Sequence, residues 1–202
     1  MQNAIQEELK DLLKQAEYNR CFLNNNCEIL KQCIANGNNT LDDIETGKVF
    51  FAAIAFLNAQ RKSPKIEQFI RKKLQHNPVN STTNRGDSEK DGVYYEYKIS
   101  TTNKNGQINA LQIRLNQCID YYLLGYIDEK QFTESRLYLV HKMVMEELCN
   151  KYGKTTHGTK DANYSNENVE LSFRIEMKTK NEILLLFEQK YRATNLENQI
   201  FN

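Results

Sequence analysis

The stretch GDSEKDGVYYEYKIS, residues 86–100, combines a turn signal with charged residues at regular spacing. Asp91-Gly92 is typical of a two-residue type I′ turn, because both central residues of that turn need a positive φ. The turn sets the register of a β-hairpin and brings Asp87 directly opposite Glu96. Lys98 lies two residues further along the strand and therefore shares a face with Glu96. The hairpin thus predicts two carboxylates and one ammonium group on one face of a sheet.

The two opposed carboxylates of this hairpin need a compensating positive charge. Opposed side chains in an antiparallel pair have Cβ atoms only about 4.5–5.5 Å apart, so the register predicts either a bound cation or a raised pKa. A hard cation such as Mg²⁺ takes one or two carboxylates and keeps several water molecules, which leaves room for a phosphate oxygen. The alternative is an exposed hairpin whose charges serve solubility alone. Asp91 could replace Asp87 as the first acid, but its place in the turn favours Asp87.

The N-terminal part of the chain is predicted to be almost wholly helical. Apolar residues recur at three- and four-residue spacing in residues 4–16, and CEILKQCIA, residues 27–35, continues in a similar way. KVFFAAIAFLNAQ, residues 48–60, is apolar enough for a helix buried on most sides. Ser63-Pro64 predicts the start of a further helix, with serine as the N-cap, proline at the first helical position and Glu67 in the first turn.

The rest of the chain alternates between strand and helix patterns. The predicted strands are VYYEYKIS, ALQIR, YYLLGYI, RLYLV and VELSFRI, and the predicted helices are HKMVMEELCNKYG and NEILLLFEQKYR. KTTHGTKDANYSNENVE is a polar loop that is longer than an ordinary connection in a compact domain. This order predicts an α/β (α+β) fold, in which a mixed β-sheet is flanked by helices and preceded by a helical N-terminal region.

Composition sets broad limits on the class of protein. The chain has 202 residues, and 27 Lys and Arg against 26 Asp and Glu leave a net charge that indicates no partner. No apolar run approaches the ~20 residues of a membrane span, and the N-terminus lacks the features of a signal peptide, so we expect a soluble intracellular protein. Five cysteines without a C-x-x-C pair argue against a disulfide framework and a structural zinc site.

The order of elements and the charged hairpin resemble the PD-(D/E)XK nucleases. Gly86-Asp87 is similar to the PD element with glycine in place of proline, and Glu96-Tyr97-Lys98 is similar to the E-x-K element on the following strand. Downstream, LQIRLNQCIDYYLLGYID and THGTKDANYSNENVELSFRI resemble segments of type II restriction endonucleases. The resemblance covers about residues 60–190. It implies a restriction-endonuclease-like fold for the sheet.

The resemblance also implies a role for each matching residue. Asp87 and Glu96 would bind Mg²⁺, for which Mn²⁺ could substitute, and Lys98 would orient or activate the attacking water. Glu67 would add a carboxylate from the helix before the hairpin, although the helix dipole also favours a first-turn glutamate on an exposed helix. Gln112 would lie near the site, although a glutamine on a central strand can equally pair with the backbone.

Two groups of residues are candidates for contacts with DNA. Arg85 would lie opposite Lys98 in the hairpin register, where it could contact a phosphate or balance Asp87 and Glu89. The long polar loop combines cations, hydroxyl groups and a glycine, which suits phosphate contacts and hydrogen bonds to base edges, or it is an ordinary polar loop. Its candidate residues are Lys154, Thr156, His157, Thr159 and Lys160.

The function implied by the resemblance is that of a Mg²⁺-dependent type II restriction endonuclease in the cytoplasm of a prokaryotic cell. It would hydrolyse phosphodiester bonds of double-stranded DNA at a palindromic sequence by in-line attack of water. A homodimer matches such a site, and a DNA methyltransferase is implied as a genetic partner. We expect no membrane partner. A structure-specific or repair nuclease of the same fold, such as a junction resolvase, and a non-catalytic DNA-binding module are the alternatives.

The expected organisation is a single nuclease domain with three parts. Residues 1–60 form the helical N-terminal part, and residues 61–153 form the catalytic core. Residues 154–202 contain the DNA-contacting loop and the C-terminal strand and helix.

Overall fold

The computed structural model describes residues 7–18, 25–80, 82–101, 106–129, 131–152, 154–155 and 170–202. The chain divides into two compact units, one within residues 1–70 together with 198–202, and one within residues 71–197. Among the described residues, no helix is both long enough and apolar enough to cross a membrane.

The first unit is helical, as the sequence predicts. Its elements are α1 (Glu8–Tyr18), α2 (Asn25–Ala35), a 3-10 turn (Leu41–Asp43), α3 (Gly47–Ile54) and most of α4 (Ala59–Leu74). Its core is apolar: Phe50 stacks on Phe69 with 4.0 Å between ring centroids, and Ile54 is fully buried. The burial of α3 on most sides, which its apolar composition predicts, is confirmed.

The helix α4 begins earlier than the Ser63-Pro64 signal predicts. The side chain of Asn58 accepts a hydrogen bond from the N–H of Arg61 at 3.0 Å. Asparagine is as good an N-cap as serine, so the helix starts at Ala59. Proline inside a helix removes one i→i−4 hydrogen bond, which α4 tolerates. Glu67 therefore lies in the middle of α4 and not in its first turn, so the helix dipole does not account for it.

The second unit combines strands with three helices. Its strands are β1 (Asn77–Pro78), β2 (Ser88–Lys90), β3 (Val93–Thr101), β4 (Gln107–Arg114), β5 (Tyr121–Ile127), β6 (Arg136–His141), β7 (Lys154–Thr155) and β8 (Glu170–Glu176). The helices are α5 (Lys142–Tyr152), α6 (Glu182–Lys190) and α7 (Thr194–Phe201), of which α7 continues past residue 197 into the first unit. A short 3-10 turn, Phe132–Glu134, precedes β6.

The strands form two sheets where the sequence predicts one. The larger sheet has the order β1-β2-β3-β5-β6, in which β3 and β5 are parallel and the other neighbours antiparallel. This confirms a mixed sheet flanked by helices. The strands β4, β8 and β7 form a separate antiparallel sheet in that order. Alternating apolar residues would suit a strand in either sheet, so the pattern alone does not assign β4 to one of them.

One apolar core joins the two sheets. The strand β4 contacts both β3 and β5, and α5 contacts β5, β6 and β8. Burying apolar side chains stabilises such a core by about 25 cal/mol for each Å² removed from water. Its fully buried members include Ile108, Ala110 and Ile113 from β4, Tyr122 and Leu124 from β5, Val140 from β6 and Ile175 from β8. The core fixes β3, and with it the charged hairpin, beside the loop that joins β4 to β5.

Candidate functional site

The β2–β3 hairpin has the register that its turn predicts. Ser88 pairs with Tyr95, and Lys90 pairs with Val93. The turn residues Asp91-Gly92 have positive φ angles of 53° and 81°. The two-residue turn and the register beside it are therefore confirmed.

The regular pairing of β2 with β3 ends at Ser88. At Asp87 the side chain, in place of the backbone, accepts a hydrogen bond from β3. The N–H of Asp87 donates to the carbonyl oxygen of Tyr95 at 2.8 Å, and Asp87 Oδ2 accepts the N–H of Tyr97 at 2.7 Å. The prediction that Asp87 forms a regular cross-strand pair with Glu96 is wrong. The carboxylate still lies on β3 next to Glu96, because its hydrogen bond to Tyr97 holds it there.

Gly86 is the reason why the chain leaves the regular ladder. Its φ is 75°, and a Cβ there would lie 2.6 Å from the carbonyl oxygen of Tyr95 and 2.8 Å from Ile119 Cγ2. Proline cannot take this conformation, because its ring fixes φ near −65°. The glycine that stands where the nuclease motif has proline is therefore required by the local backbone.

The Asp87 carboxyl lies in a crowded electrostatic environment. Burial and the neighbouring Glu96 carboxylate raise the pKa of Asp87 to about 6, against the opposing effects of the Tyr97 N–H and of the cations Lys98 and Arg71. This is the raised pKa that two crowded carboxylates predict. A cation bound in place of this proton would relieve the same repulsion.

The Glu96 carboxylate is buried, with 7% of the residue exposed. Lys98 Nζ lies 2.7 Å from Glu96 Oε1, which confirms that both side chains share a face of β3. Gln117 Nε2 donates to Glu96 Oε2 at 3.3 Å. Each carboxylate oxygen thus has its own donor, and the carboxylate is fixed between an ammonium group and an amide.

Gln117 belongs to this cluster although the sequence analysis does not single it out. It lies in the loop between β4 and β5 and is 6% exposed. Among the described residues, its Oε1 is a buried oxygen that has no hydrogen-bond partner. A single glutamine in a loop carries no periodicity and matches no motif, so the sequence offers no signal for its position.

Two other predicted residues of the site lie on β4 and on α4. Gln112 is exposed, has a φ of 53° and lies in the irregularity between Ala110 and Ile113. The alternative that it is a central-strand glutamine is wrong, because β4 is an edge strand of the second sheet, and its predicted role near the site stays a prediction. Glu67 is half-buried on α4 in the first unit, and its catalytic role stays a prediction.

The predicted DNA contacts are placed only in part. Arg85 is exposed, lies over the Tyr94 ring at 5.2 Å from its centroid and donates to the Tyr94 hydroxyl at 3.0 Å. Its predicted position opposite Lys98 is wrong, because the pairing has already ended at this point. Lys154 lies on β7, where its backbone pairs with Ser172. Thr156, His157, Thr159 and Lys160 lie outside the described residues.

The oxygen atoms of the cluster suit a hard divalent cation. Within the described part of the chain, no three His, Cys, Asp or Glu side chains come together as a metal-binding group. Mg²⁺ is commonly held by one or two carboxylates together with water, and Asp87 and Glu96 supply two. The unpartnered oxygen of Gln117 is a further acceptor of the type that such ions bind. These residues therefore fit Mg²⁺ or Mn²⁺ by the chemistry of their donors.

Comparison with known proteins identifies no family for this chain. No protein-family model matches the chain, and no curated protein matches it significantly.

Proposed function

We propose that the chain is a Mg²⁺-dependent DNA endonuclease with a restriction-endonuclease-like fold, and that the cluster around Glu96 is its active site. The observation that carries the proposal is the arrangement of Glu96, which is buried between Lys98 and Gln117 and next to a second carboxylate with a raised pKa. A carboxylate pair with an adjacent lysine provides metal ligands and a positive charge, which are the groups that phosphodiester hydrolysis requires. Asp87 and Glu96 would hold a divalent cation, and Lys98 would orient the attacking water.

The side chains of the cluster have distinct roles in this proposal. Asp87 and Glu96 hold the cation, which when bound draws electron density from the phosphate and favours attack by water. Lys98 orients the water and stabilises the negative charge that develops on the phosphate oxygens. The hydrogen bond from the Tyr97 N–H keeps the Asp87 carboxylate in position. Arg71 adds positive charge near Asp87 and can contact a flanking phosphate.

The finer parts of the proposal rest on the resemblance of Gly86-Asp87 and Glu96-Tyr97-Lys98 to the nuclease motif. In this finer form, the chain is a type II restriction endonuclease that cuts double-stranded DNA at a palindromic site. It acts as a homodimer, and a DNA methyltransferase is its genetic partner. Arg85 is exposed and positively charged, which suits a phosphate contact at the edge of the site.

Digestion of unmethylated phage or plasmid DNA with Mg²⁺ tests the proposal. We expect discrete fragments, and sequencing of their ends would give the site and the stagger. Glu96→Gln and Lys98→Met should abolish cleavage and leave DNA binding in Ca²⁺ largely unchanged. Cleavage of branched DNA but not of linear duplexes would instead indicate a structure-specific nuclease.

Matched controls separate the chemistry from a general loss of charge. Glu147 on α5 and Lys190 on α6 are exposed, so Glu147→Gln and Lys190→Met remove the same charges far along the chain from the hairpin. Both should cleave like the wild type. Full cleavage by Glu96→Gln or Lys98→Met would refute the proposed active site.

A non-catalytic DNA-binding module is the second candidate. One observation favours it: the ammonium group of Lys98 lies 2.7 Å from Glu96 Oε1 and can neutralise that carboxylate without a cation. This candidate predicts that Mn²⁺ does not bind at Asp87 and Glu96, which calorimetric titration measures directly.

A further inference from the structure

The loop that contains Gln117 is held in place by contacts from two other parts of the second unit. Lys142 Nζ donates to the Gln117 carbonyl oxygen at 2.6 Å. Asn84 Nδ2 donates to the carbonyl oxygen of Asn116 at 2.9 Å, and the N–H of Cys118 donates to the carbonyl oxygen of Asn84 at 2.6 Å. The residues on both sides of Gln117 are thus anchored, which is the preorganisation that a binding residue needs.

The orientation of the Gln117 amide follows from its neighbour. Its Nε2 faces Glu96 Oε2 at 3.3 Å. The reverse orientation would place the two oxygens against each other, and neither can donate a hydrogen bond. The oxygen Oε1 is therefore the atom that is left buried without a partner. An unsatisfied buried acceptor is destabilising, so the fold keeps this oxygen at a cost in stability.

A cation at the Asp87–Glu96 pair would satisfy this oxygen. Amide carbonyl oxygens are regular ligands of hard divalent cations. A neutral ligand also suits this position, because Asp87 and Glu96 already bring two carboxylates together on β3. A third carboxylate would add to their repulsion, whereas an amide supplies an oxygen without a further negative charge.

We propose that Gln117 Oε1 is the third protein ligand of the divalent cation held by Asp87 and Glu96. The proposal rests on the metal site of the proposed function and adds a residue from a different loop to it. In this arrangement, one amide group performs two tasks: its nitrogen orients Glu96, and its oxygen binds the ion.

Calorimetric titration of Mn²⁺ into the metal-free full chain, in the absence of DNA, tests this assignment. Gln117→Met keeps the length of the side chain and removes both polar atoms, and we expect it to weaken Mn²⁺ binding by about tenfold or more. Gln117→Glu keeps an oxygen and loses the N–H donor; its added charge increases the repulsion in the metal-free site, but the bound cation attracts that charge, so we expect Mn²⁺ to bind at least as tightly as in the wild type. Gln189→Met changes an exposed glutamine on α6 and should bind like the wild type.

The two substitutions distinguish the oxygen from the nitrogen. Equal weakening in Gln117→Met and Gln117→Glu would overturn the proposal, because Gln117 would then act only by orienting Glu96. Wild-type affinity in Gln117→Met would also overturn it and would indicate that Oε1 binds a structural water. Either result leaves the metal site itself intact. Absence of Mn²⁺ binding in the wild type would instead refute the proposed function and the inference together.

Thermal unfolding of each variant shows whether it is folded before it is titrated. If Gln117→Met does not fold, the comparison of Gln117→Glu with the wild type still decides. Equal or tighter binding supports the oxygen as a ligand, and weaker binding contradicts it.

Discussion

The two faces of the β2–β3 hairpin carry polar clusters of opposite character. Alternate residues of a strand point to opposite faces, so Tyr97 lies on one face of β3 and Glu96 on the other. On the Tyr97 face, Ser88 Oγ donates to the Tyr97 hydroxyl at 2.7 Å, and that hydroxyl lies 2.9 Å from His76 Nδ1. On the Glu96 face, Lys98 and the second carboxylate crowd around one buried acid.

The difference between the clusters lies in charge and in hydrogen-bond satisfaction. Burial and the nearby Lys90 lower the pKa of His76 to about 4, so the Tyr97 face is a neutral network whose donors and acceptors match. The Glu96 face keeps like charges together and leaves Gln117 Oε1 without a hydrogen-bond partner among the residues that the structure describes. Satisfied networks make a fold rigid, whereas perturbed titratable groups concentrate at functional sites. We therefore propose that the first face serves stability and that the second serves the proposed function.

The largest expected effect comes from removing the lysine of the Glu96 face. Lys98→Met should lower the single-turnover rate of Mg²⁺-dependent cleavage by about 10²–10⁴-fold, the range found for a group that transfers or orients a proton. Tyr97→Phe removes the hydroxyl on the opposite face and should retain the rate. A wild-type cleavage rate for Lys98→Met, or a lowered cleavage rate for a fully folded Tyr97→Phe variant, would contradict the proposal that only the Glu96 face acts in cleavage.

The backbone of Gly86 sets the position of Asp87. The Asp87 carboxylate lies beside Glu96 and accepts the N–H of Tyr97. We expect Gly86→Ala to lower the free energy of unfolding by about 2–4 kcal/mol, since alanine disfavours a φ of 75° and its Cβ would lie 2.6 Å from a backbone oxygen. Gly92→Ala is the matched control. Its φ is 81°, but a Cβ there meets nothing within 4 Å, so it should cost about 1 kcal/mol. Urea unfolding measures both, and equal losses would show that the close contact is unimportant.

The hairpin could be predicted from the sequence because its determinants are local. The Asp91-Gly92 turn sets the register, and strand alternation then places Glu96 and Lys98 on one face. Asp87 was predicted at the correct end of β2 but with the wrong pairing. The cause is a close approach of Gly86 to Ile119, a residue of a different loop, and no local pattern contains that information.

The rest of the site depends on contacts between distant segments. Gln117 reaches Glu96 because Lys142 and Asn84 anchor its loop, and these residues are far apart in the chain. Gln112 is predicted near the site from the resemblance, with a central-strand glutamine as the alternative, and in the structure β4 joins β8 in the second sheet. Choosing between the two sheets depends on how the core packs, which strand periodicity does not specify.

Removal of the serine hydroxyl on the Tyr97 face should produce a moderate loss of stability. Ser88 is fully buried, and Ser88→Ala leaves the Tyr97 hydroxyl without its donor, which should cost about 1–2 kcal/mol in urea unfolding. Cleavage should be unchanged. A variant that keeps its stability but loses cleavage would move Ser88 from the structural cluster to the functional one.

The smallest expected effect is an opposite dependence of stability on pH for the two faces. Folding raises the pKa of Asp87 from 3.8 to about 6, so the folded state holds the extra proton in this range and stability falls as pH rises through it. Folding lowers the pKa of His76 from 6.5 to about 4, so the unfolded state holds the proton and stability rises with pH over nearly the same range. In the wild type the two contributions partly cancel.

Two variants that remove one titratable group each separate these contributions in urea unfolding with EDTA between pH 4 and pH 7. Asp87→Asn keeps an acceptor for the Tyr97 N–H, and its stability relative to the wild type should increase with pH, by about 1 kcal/mol for a partly solvated carboxyl. His76→Asn keeps an acceptor for the Tyr97 hydroxyl, and its relative stability should decrease over the same range. If both differences had the same sign, one face would have been assigned the wrong electrostatic character. A flat difference for Asp87→Asn would mean that neither burial nor Glu96 raises the pKa of Asp87 in the metal-free protein, which would remove the electrostatic reason for a cation at this pair.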